Sequence, residues 1–301
     1  MGIDHYDFAQ KLDFCDQMLR RIESKERECN KLKIAVLITC FNRKNVTLTC
    51  IQKVMASNLK NVSVVIFIVD GGSTDGTVLA ILEQYPQANV IVHQGLYWNR
   101  GMIAAWEKAA NSEINFDAFL LLNDDVHLYE DSISELVKIV DIENGRKIAV
   151  GFTVSPTTGA ISYGGLKRQA GFSRIRFERS SSNNDEIVTM NGNCVLVPRV
   201  IYENLGMLNS RFQHSFGDID YGLRATKAGF SIVLTSEPVA KMETNETAYS
   251  NSQKVSVAEV FSLMKHPKGL PFNEWLYFCC KHAGIFWPIN FFSRYLRITK
   301  L

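Results

Sequence analysis

The stretch VSVVIFIVDGGSTDGT, Val62–Thr77, decides how the fold is read. Val62–Val69 is an apolar run rich in β-branched residues. It stops abruptly at Asp70, followed by Gly71, Gly72, Ser73 and Thr74. A short, continuously apolar run fits a strand buried on both faces rather than one. The pattern repeats outward from this stretch. Ile34–Cys40 (IAVLITC) precedes it, and 90–93, 118–122 and 148–152 follow. Helix-like stretches lie between these runs, near 44–57, 74–84, 101–111 and 131–141. Strands alternating with helices give an α/β, Rossmann-like, mostly parallel sheet with helices on both faces. Ligands of such sheets bind beyond the carboxyl ends of the strands. The residues just after each apolar run therefore hold the interest.

Composition narrows the function classes. The chain has 301 residues, 46% hydrophobic and 21% charged, an ordinary globular balance. Net charge is +2, so nothing global points to a nucleic-acid partner. Seven cysteines, an odd number without a C-x-x-C pair, imply neither a disulfide framework nor a zinc cluster and fit a reducing compartment. The N-terminus is acidic and mixed, unlike a signal peptide. No uncharged run reaches the roughly 18 residues of a membrane-spanning helix.

After the first strand stand Thr39, Phe41 and Asn42. A small hydroxyl and an aromatic ring two positions apart suit a planar base; a plain strand-to-helix turn also accounts for them. After the second, Asp70 is placed to accept from a base N–H or a ribose hydroxyl, and the glycines permit close backbone approach. After the fourth, Asn123, Asp124 and Asp125 put two adjacent acids at a strand end, where they repel unless something positive lies near. A divalent cation, manganese or magnesium, holding a diphosphate is an economical answer. Further on, Asp218 and Asp220 precede an expected helix over 220–228, ending at Gly229. One is a candidate base for an attacking hydroxyl; two acids in a first turn are also ordinary capping.

Taken in order, VDGGSTDGT, LLNDDV, NGNCVLVPR and GDIDYGLRATKAGF resemble glycosyltransferase family 2 over roughly residues 33–235. The resemblance implies the GT-A fold and inverting, nucleotide-sugar-dependent transfer. It implies base contacts by Thr39 and Phe41, with Asn42 beside them, and Asp70 as the acid that reads the base. It puts Asn123 and Asp124 at the ribose and donor, Asp125 on the metal, Asp218 as general base and Asp220 beside it. A looser match over Leu96–Gly101 adds Asn99, Arg100 and Gly101 to the donor site, with Arg100 toward the diphosphate. Two positions depart from the family: Asn123 stands where many members have Asp, and Pro238–Glu243 lacks the usual metal-ligating His. Lys241, Glu243 or His214 is left to substitute. Sugar selectivity is expected around 97–101 and 190–194.

The expected organisation is an N-terminal helix over 1–31, a catalytic domain over 32–240 and a helical segment over 241–301. Aromatic and basic residues over 272–300 suit either a membrane surface or a helical layer packed on the domain. The expected activity is sugar transfer from a UDP or dTDP donor to a glycan or lipid-linked glycan at the cytoplasmic face. Two other classes share these features, a nucleotidyltransferase and a non-catalytic binding member. The chain's oligomeric state is not encoded in any of these motifs.

Overall fold

The computed structural model describes residues 31–140, 144–180, 185–244 and 254–300. The helix expected over 1–31 lies outside the described residues except for Lys31, and so does most of the SSSNNDE loop. The first half runs β1 (Leu32–Cys40), α1 (Lys44–Met55), β2 (Val62–Asp70), α2 (Thr77–Gln84), β3 (Asn89–Val92), α3 (Trp98–Ala110), β4 (Ala118–Asn123), β5 (His127–Leu128), α4 (Ser132–Ile139) and β6 (Lys147–Val150). Short strands follow: β7 (Thr153–Val154), β8 (Ile161–Tyr163), β9 (Gly165–Arg168), β10 (Phe177–Arg179) and β11 (Thr189–Met190). Then come β12 (Cys194–Pro198), α5 (Arg199–Leu205), α6 (Gly217–Lys227), β13 (Ser231–Leu234) and β14 (Ala240–Lys241). The last described stretch holds α7 (Val257–Lys265), α8 (Phe272–His282), a 3-10 turn at Gly284–Phe286 and α9 (Trp287–Ile298).

The main sheet has the order β13-β6-β12-β4-β1-β2-β3. Its pairs are parallel except those made by β12, which is antiparallel to both β4 and β6. The reversed strand brings its own beginning to the edge where β1, β2 and β4 end: Cys194 pairs with Leu122, and Asn123 N–H donates to Asn193 C=O. Residues before β12 thereby join the loops after β1, β2 and β4 at one edge.

The apolar runs lack alternation because both faces are covered. Ile34, Val36 and Ile38 pack under Cys50, Ile51 and Val54 of α1 and Ile133 and Leu136 of α4. Ala35 and Leu37, one position out of phase, pack on the other face with Met102 and Trp106 of α3 and Tyr221 and Ala225 of α6. Some boundaries shift from expectation. Helix α2 begins only at Thr77, after a left-handed Gly76, while α3 begins early at Trp98. The helix expected from Asp220 begins at Gly217, so Asp218 and Asp220 lie inside its first turn.

A third apolar cluster holds the C-terminal helices. Phe216, before α6, stacks on Trp275 and Phe278 of α8 with ring centroids 5.4 and 5.2 Å apart. Leu223, Phe291, Tyr295 and Ile298 extend it. The aromatic segment over 272–300 thus forms a helical layer packed on the domain. Its outer side nevertheless exposes Ile285, Ile289, Phe292 and Leu296.

Asp220 ties the same helices together. It is fully buried, and Oδ1 accepts from Lys281 Nζ at 2.6 Å and His282 Nε2 at 2.8 Å. Oδ2 accepts from Arg224 Nε at 2.9 Å, one helical turn on. Burial opposes its charge, yet the bonds from His282 and Lys281 and the charges of Lys281 and Arg224 hold its pKa down at about 2. A carboxylate so engaged is a clamp between α6 and α8. Removing one member of such a buried network costs about 3 kcal/mol. Asp220→Asn is therefore expected to lower unfolding stability at pH 7 by that order in urea melts. A folded-state pKa below the unfolded one stabilises above the unfolded value and is lost as pH falls. The gap between wild type and variant should hold from pH 7 to about 4 and close toward about 2.

Candidate active site

Two loops form the first wall, and their polar side chains hold each other. Asp70 is fully buried at the end of β2. Its Oδ1 accepts from the Gly72 and Ser73 N–H groups at 2.9 and 2.7 Å, and its Oδ2 accepts from the Cys40 thiol at 3.5 Å. Burial raises the Cys40 pKa, so the sulfur stays protonated and able to donate. Asn42 takes a left-handed φ of 51°. Its N–H donates to Ser73 Oγ at 2.7 Å and its Oδ1 accepts from Thr74 N–H at 2.8 Å. Asp75 Oδ2 accepts from Lys44 N–H at 3.0 Å. Asn42 is thus a stitch between the loops after β1 and β2. Beside it, Phe41 exposes 53% of its surface, a free aromatic face at the sheet edge.

The acids after β4 meet a partner the sequence reading passed over. Arg43 Nη1 donates to Asp124 Oδ1 at 2.8 Å, and Nη2 to Asp125 Oδ2 at 3.1 Å. One guanidinium relieves the repulsion that pointed to a cation. Asp124 also accepts from Thr47 Oγ1 at 3.3 Å. Burial pushes Asp124 up to about 6, against the pull of Arg43. The signal was present in TCFNRKN, since a planar fork suits two carboxylates. The separation of 81 and 82 residues hid the pairing.

Trp98 links this wall to the second. Its Nε1 donates to Asn123 Oδ1 at 2.7 Å. Its ring lies against Gly192, where an added Cβ would fall 2.6 Å from Cη2 and 3.1 Å from the Asp218 Cβ. Gly192 N–H in turn donates to Asp218 Oδ2 at 2.9 Å, and Oδ1 accepts from Ile219 N–H at 2.8 Å. Burial raises the Asp218 pKa, tempered by those N–H groups, while its residue surface stays partly open. Asp218 has the raised basicity and access that Asp220 lacks.

The remaining candidates divide by what they touch. Asn99 is fully buried, and its Nδ2 donates to Asn209 and Phe212 C=O at 3.0 and 2.7 Å. Its Oδ1 crowds the start of α6, where only the absence of a Cβ at Gly217 leaves room. Gly101 lets α3 approach Thr39, whose Cγ2 would be 2.8 Å from an added Cβ. Both are packed against neighbouring elements of the site. Arg100 is exposed, and its charge acts on Glu274 of α8. Glu243 Oε1 accepts from Thr157 Oγ1 at 2.5 Å, and His214 sits edge-on to Tyr97. Lys241, exposed, pairs in register with His127, two residues beyond Asp125.

Among the described residues no group of three or more His, Cys, Asp or Glu side chains could hold a metal alone. Asp124 and Asp125 remain as hard oxygen ligands. One or two carboxylates completed by substrate phosphates is the usual set for magnesium-like ions, so the residues fit a donor-shared cation.

Comparison with known proteins bears on the family and the fold. The profile described as Glycosyltransferase like family 2 matches residues 31–261. The O-antigen biosynthesis protein RfbC of Myxococcus xanthus is 23% identical over 223 residues, covering 68% of this chain and 17% of its own length. The chain therefore spans about a sixth of the curated relative it matches. Among solved structures, the mannosyltransferase PcManGT from Pyrobaculum calidifontis, in complex with GDP-Man and Mn2+, superposes with a TM-score of 0.51. The identity is 13%, over 73% of this chain and 59% of that one, and the likeness is one of fold.

The contact among Trp98, Gly192 and Asp218 leaves no space for a methyl group. Gly192→Ala is expected to destabilise the protein by about 1–3 kcal/mol through overpacking. Urea denaturation followed by Trp fluorescence checks it, and a neutral result would place these three groups further apart than described.

Proposed function

This chain belongs to the glycosyltransferase-like family 2, and from that premise we propose that it moves a sugar from a nucleoside-diphosphate donor, UDP or dTDP favoured, onto a hydroxyl of a glycan acceptor. The observation that carries the mechanism is the Asp218 carboxylate. It is fixed by the Gly192 and Ile219 N–H groups and reaches, through the Trp98 ring beside Gly192, the Asn123 amide that precedes the acids after β4.

The reaction is a direct displacement with inversion. The acceptor oxygen attacks the anomeric carbon while the bond from that carbon to the diphosphate oxygen breaks. Asp218 takes the proton of the attacking hydroxyl. Phe41 offers its exposed face to the base, and Asp70 holds the loop against which the base lies. Arg43, bonded to both Asp124 and Asp125, orients these acids toward the leaving diphosphate. Asp125, with donor phosphate oxygens, would hold a divalent cation, manganese or magnesium, which supplies charge neutralisation to the leaving group when bound. Lys241 adds a further positive charge at the same edge. On this reading 32–240 is the catalytic domain and 241–301 a helical segment that meets the membrane surface.

The relative's printed name supports a role in building surface polysaccharide. The exposed apolar residues of α9 and the turn before it support a peripheral site at the membrane surface, facing a lipid-linked acceptor. Among the described residues no helix is long and apolar enough to cross a membrane.

Asp218→Asn tests the reading. With the base amide in place, kcat is expected to fall on the order of 10²–10⁴-fold, with donor binding retained. Near-normal turnover by the variant would remove Asp218 from the mechanism. Because its pKa is raised, the acid limb of the wild-type rate profile should lie above the ordinary carboxylate range. That limb should vanish in Asp218→Asn.

A further inference from the structure

An indole at the head of α3 decides which way an amide faces at the end of β4. Trp98 is the first residue of α3, and Asn123 is the last of β4. The Trp98 ring is wedged against Gly192, where an added Cβ would fall 2.6 and 2.7 Å from Cη2 and Cζ2. It also packs on the second apolar cluster. Held in this way, its Nε1 lies 2.7 Å from Asn123 Oδ1. The backbone of Asn123 is held as well. Its N–H donates to Asn193 C=O at 2.9 Å, and its C=O accepts from Val126 N–H at 3.2 Å and the Cys50 thiol at 3.4 Å.

An indole N–H donates and cannot accept, so the atom facing it is the amide oxygen. A flipped amide would set N–H against N–H and lose the bond. The two Nδ2 protons of Asn123 are thereby committed away from the indole. Among the described residues no group accepts from them. Nor is Nδ2 sealed in the interior, since Asn123 keeps part of its surface. Thr39 is the register partner of Asn123 on β1, and its hydroxyl also has no partner among the described residues.

Asn123 stands between the two halves of the site. On one side the chain continues into Asp124 and Asp125, which take the Arg43 guanidinium. On the other the Trp98 ring reaches Gly192, whose N–H holds Asp218. On the reading of the function given above, the diphosphate lies at the acids and the attacked carbon at Asp218. The group that joins them is the sugar-bearing phosphate, whose ionised oxygens only accept. An amide that offers N–H alone suits those oxygens. A carboxylate at 123 would instead add a third negative charge beside two acids served by one guanidinium.

We propose that Trp98 is a positioning residue, which fixes the Asn123 amide as a hydrogen-bond donor to the sugar-bearing phosphate of the nucleotide sugar. The indole sets the sign of the contact, and the amide makes it.

Calorimetry on the full chain tests this, with UDP and UMP as probes, dTDP and dTMP in parallel, all with manganese. The monophosphates lack the sugar-bearing phosphate, so a contact to it is read as preference for the diphosphate. Asn123→Ala is expected to weaken diphosphate binding about tenfold and to leave monophosphate binding within about threefold. Asn123→Asp keeps the size of the side chain and an acceptor for Trp98, yet should lose at least as much. Trp98→Phe removes the N–H and should cost the diphosphate about fivefold, again sparing the monophosphate. Added to Asn123→Ala it should cost little more, because it acts through the amide.

A Trp98 that merely packs would weaken both nucleotides alike and add its full effect to Asn123→Ala, and that result overturns the proposal. Tighter diphosphate binding by Asn123→Asp overturns it too, and would make 123 a cation position. Should Trp98→Phe fail to fold, the two Asn123 variants decide. Diphosphate binding that ignores both residues strikes this inference and leaves the functional reading standing. Wild type that binds neither diphosphate strikes both.

Discussion

Carboxylates set into the edge of the sheet govern this structure, because a buried charge persists only where donors meet it. Each acid meets a different set, and the set decides what the acid can do. Asp70 receives two backbone N–H groups and a thiol, and so shapes a turn. Asp124 and Asp125 share one guanidinium, which relieves their mutual repulsion. Asp220 is met by Arg224, Lys281 and His282 and becomes a clamp. Asp218 receives, among the described residues, backbone N–H groups, keeps a raised pKa and stays partly open. The division between structure and chemistry at this edge is a division of hydrogen-bond donors.

The C-terminal helices belong to the same arrangement. Phe216 precedes α6 in the left-handed region, φ 71°, a conformation that costs a non-glycine residue about 1 kcal/mol. It is kept there by Trp275 and Phe278, stacked on its ring. Asn99 bonds the loop just before it, and Gly217 accepts the close approach of the Asn99 amide. These contacts aim the first turn of α6 and with it Asp218. Helix α8 thus also helps to hold Asp218 in place.

Much of the fold was legible in the sequence, and the physical reason is local. Runs such as IAVLITC and VSVVIFIV stay apolar throughout only when both faces of a strand are covered, so the parallel sheet and its carboxyl edge followed. The acids at that edge were visible too. Their roles were not, because the partners come from far along the chain. Arg43 lies 81 residues from Asp124, and Lys281 lies 61 from Asp220. Asp218 and Asp220 looked alike as neighbours, yet positions i and i+2 of a helix face different ways. Arg224, four residues beyond Asp220, was the one local sign of a structural ion pair. Asn42 and Asn99 bond groups of distant segments, partners that sequence spacing could not show. Trp98 fell within a stretch marked for selectivity, but its bond to Asn123 and its contact with Gly192 needed the reversed strand β12 to be placed.

The central claim is that this edge binds a nucleoside diphosphate through the acids after β4. A thermal-shift panel of UDP, dTDP, GDP and CMP, each with manganese, magnesium or EDTA, on wild type and Asp125→Ala measures it most directly. A ligand at 100 times its dissociation constant stabilises by about 2.7 kcal/mol, easily seen as a melting shift. The account predicts a shift with UDP or dTDP, strengthened by the cation and lost in Asp125→Ala. No shift with any nucleotide, or one that Asp125→Ala leaves unchanged, would contradict it.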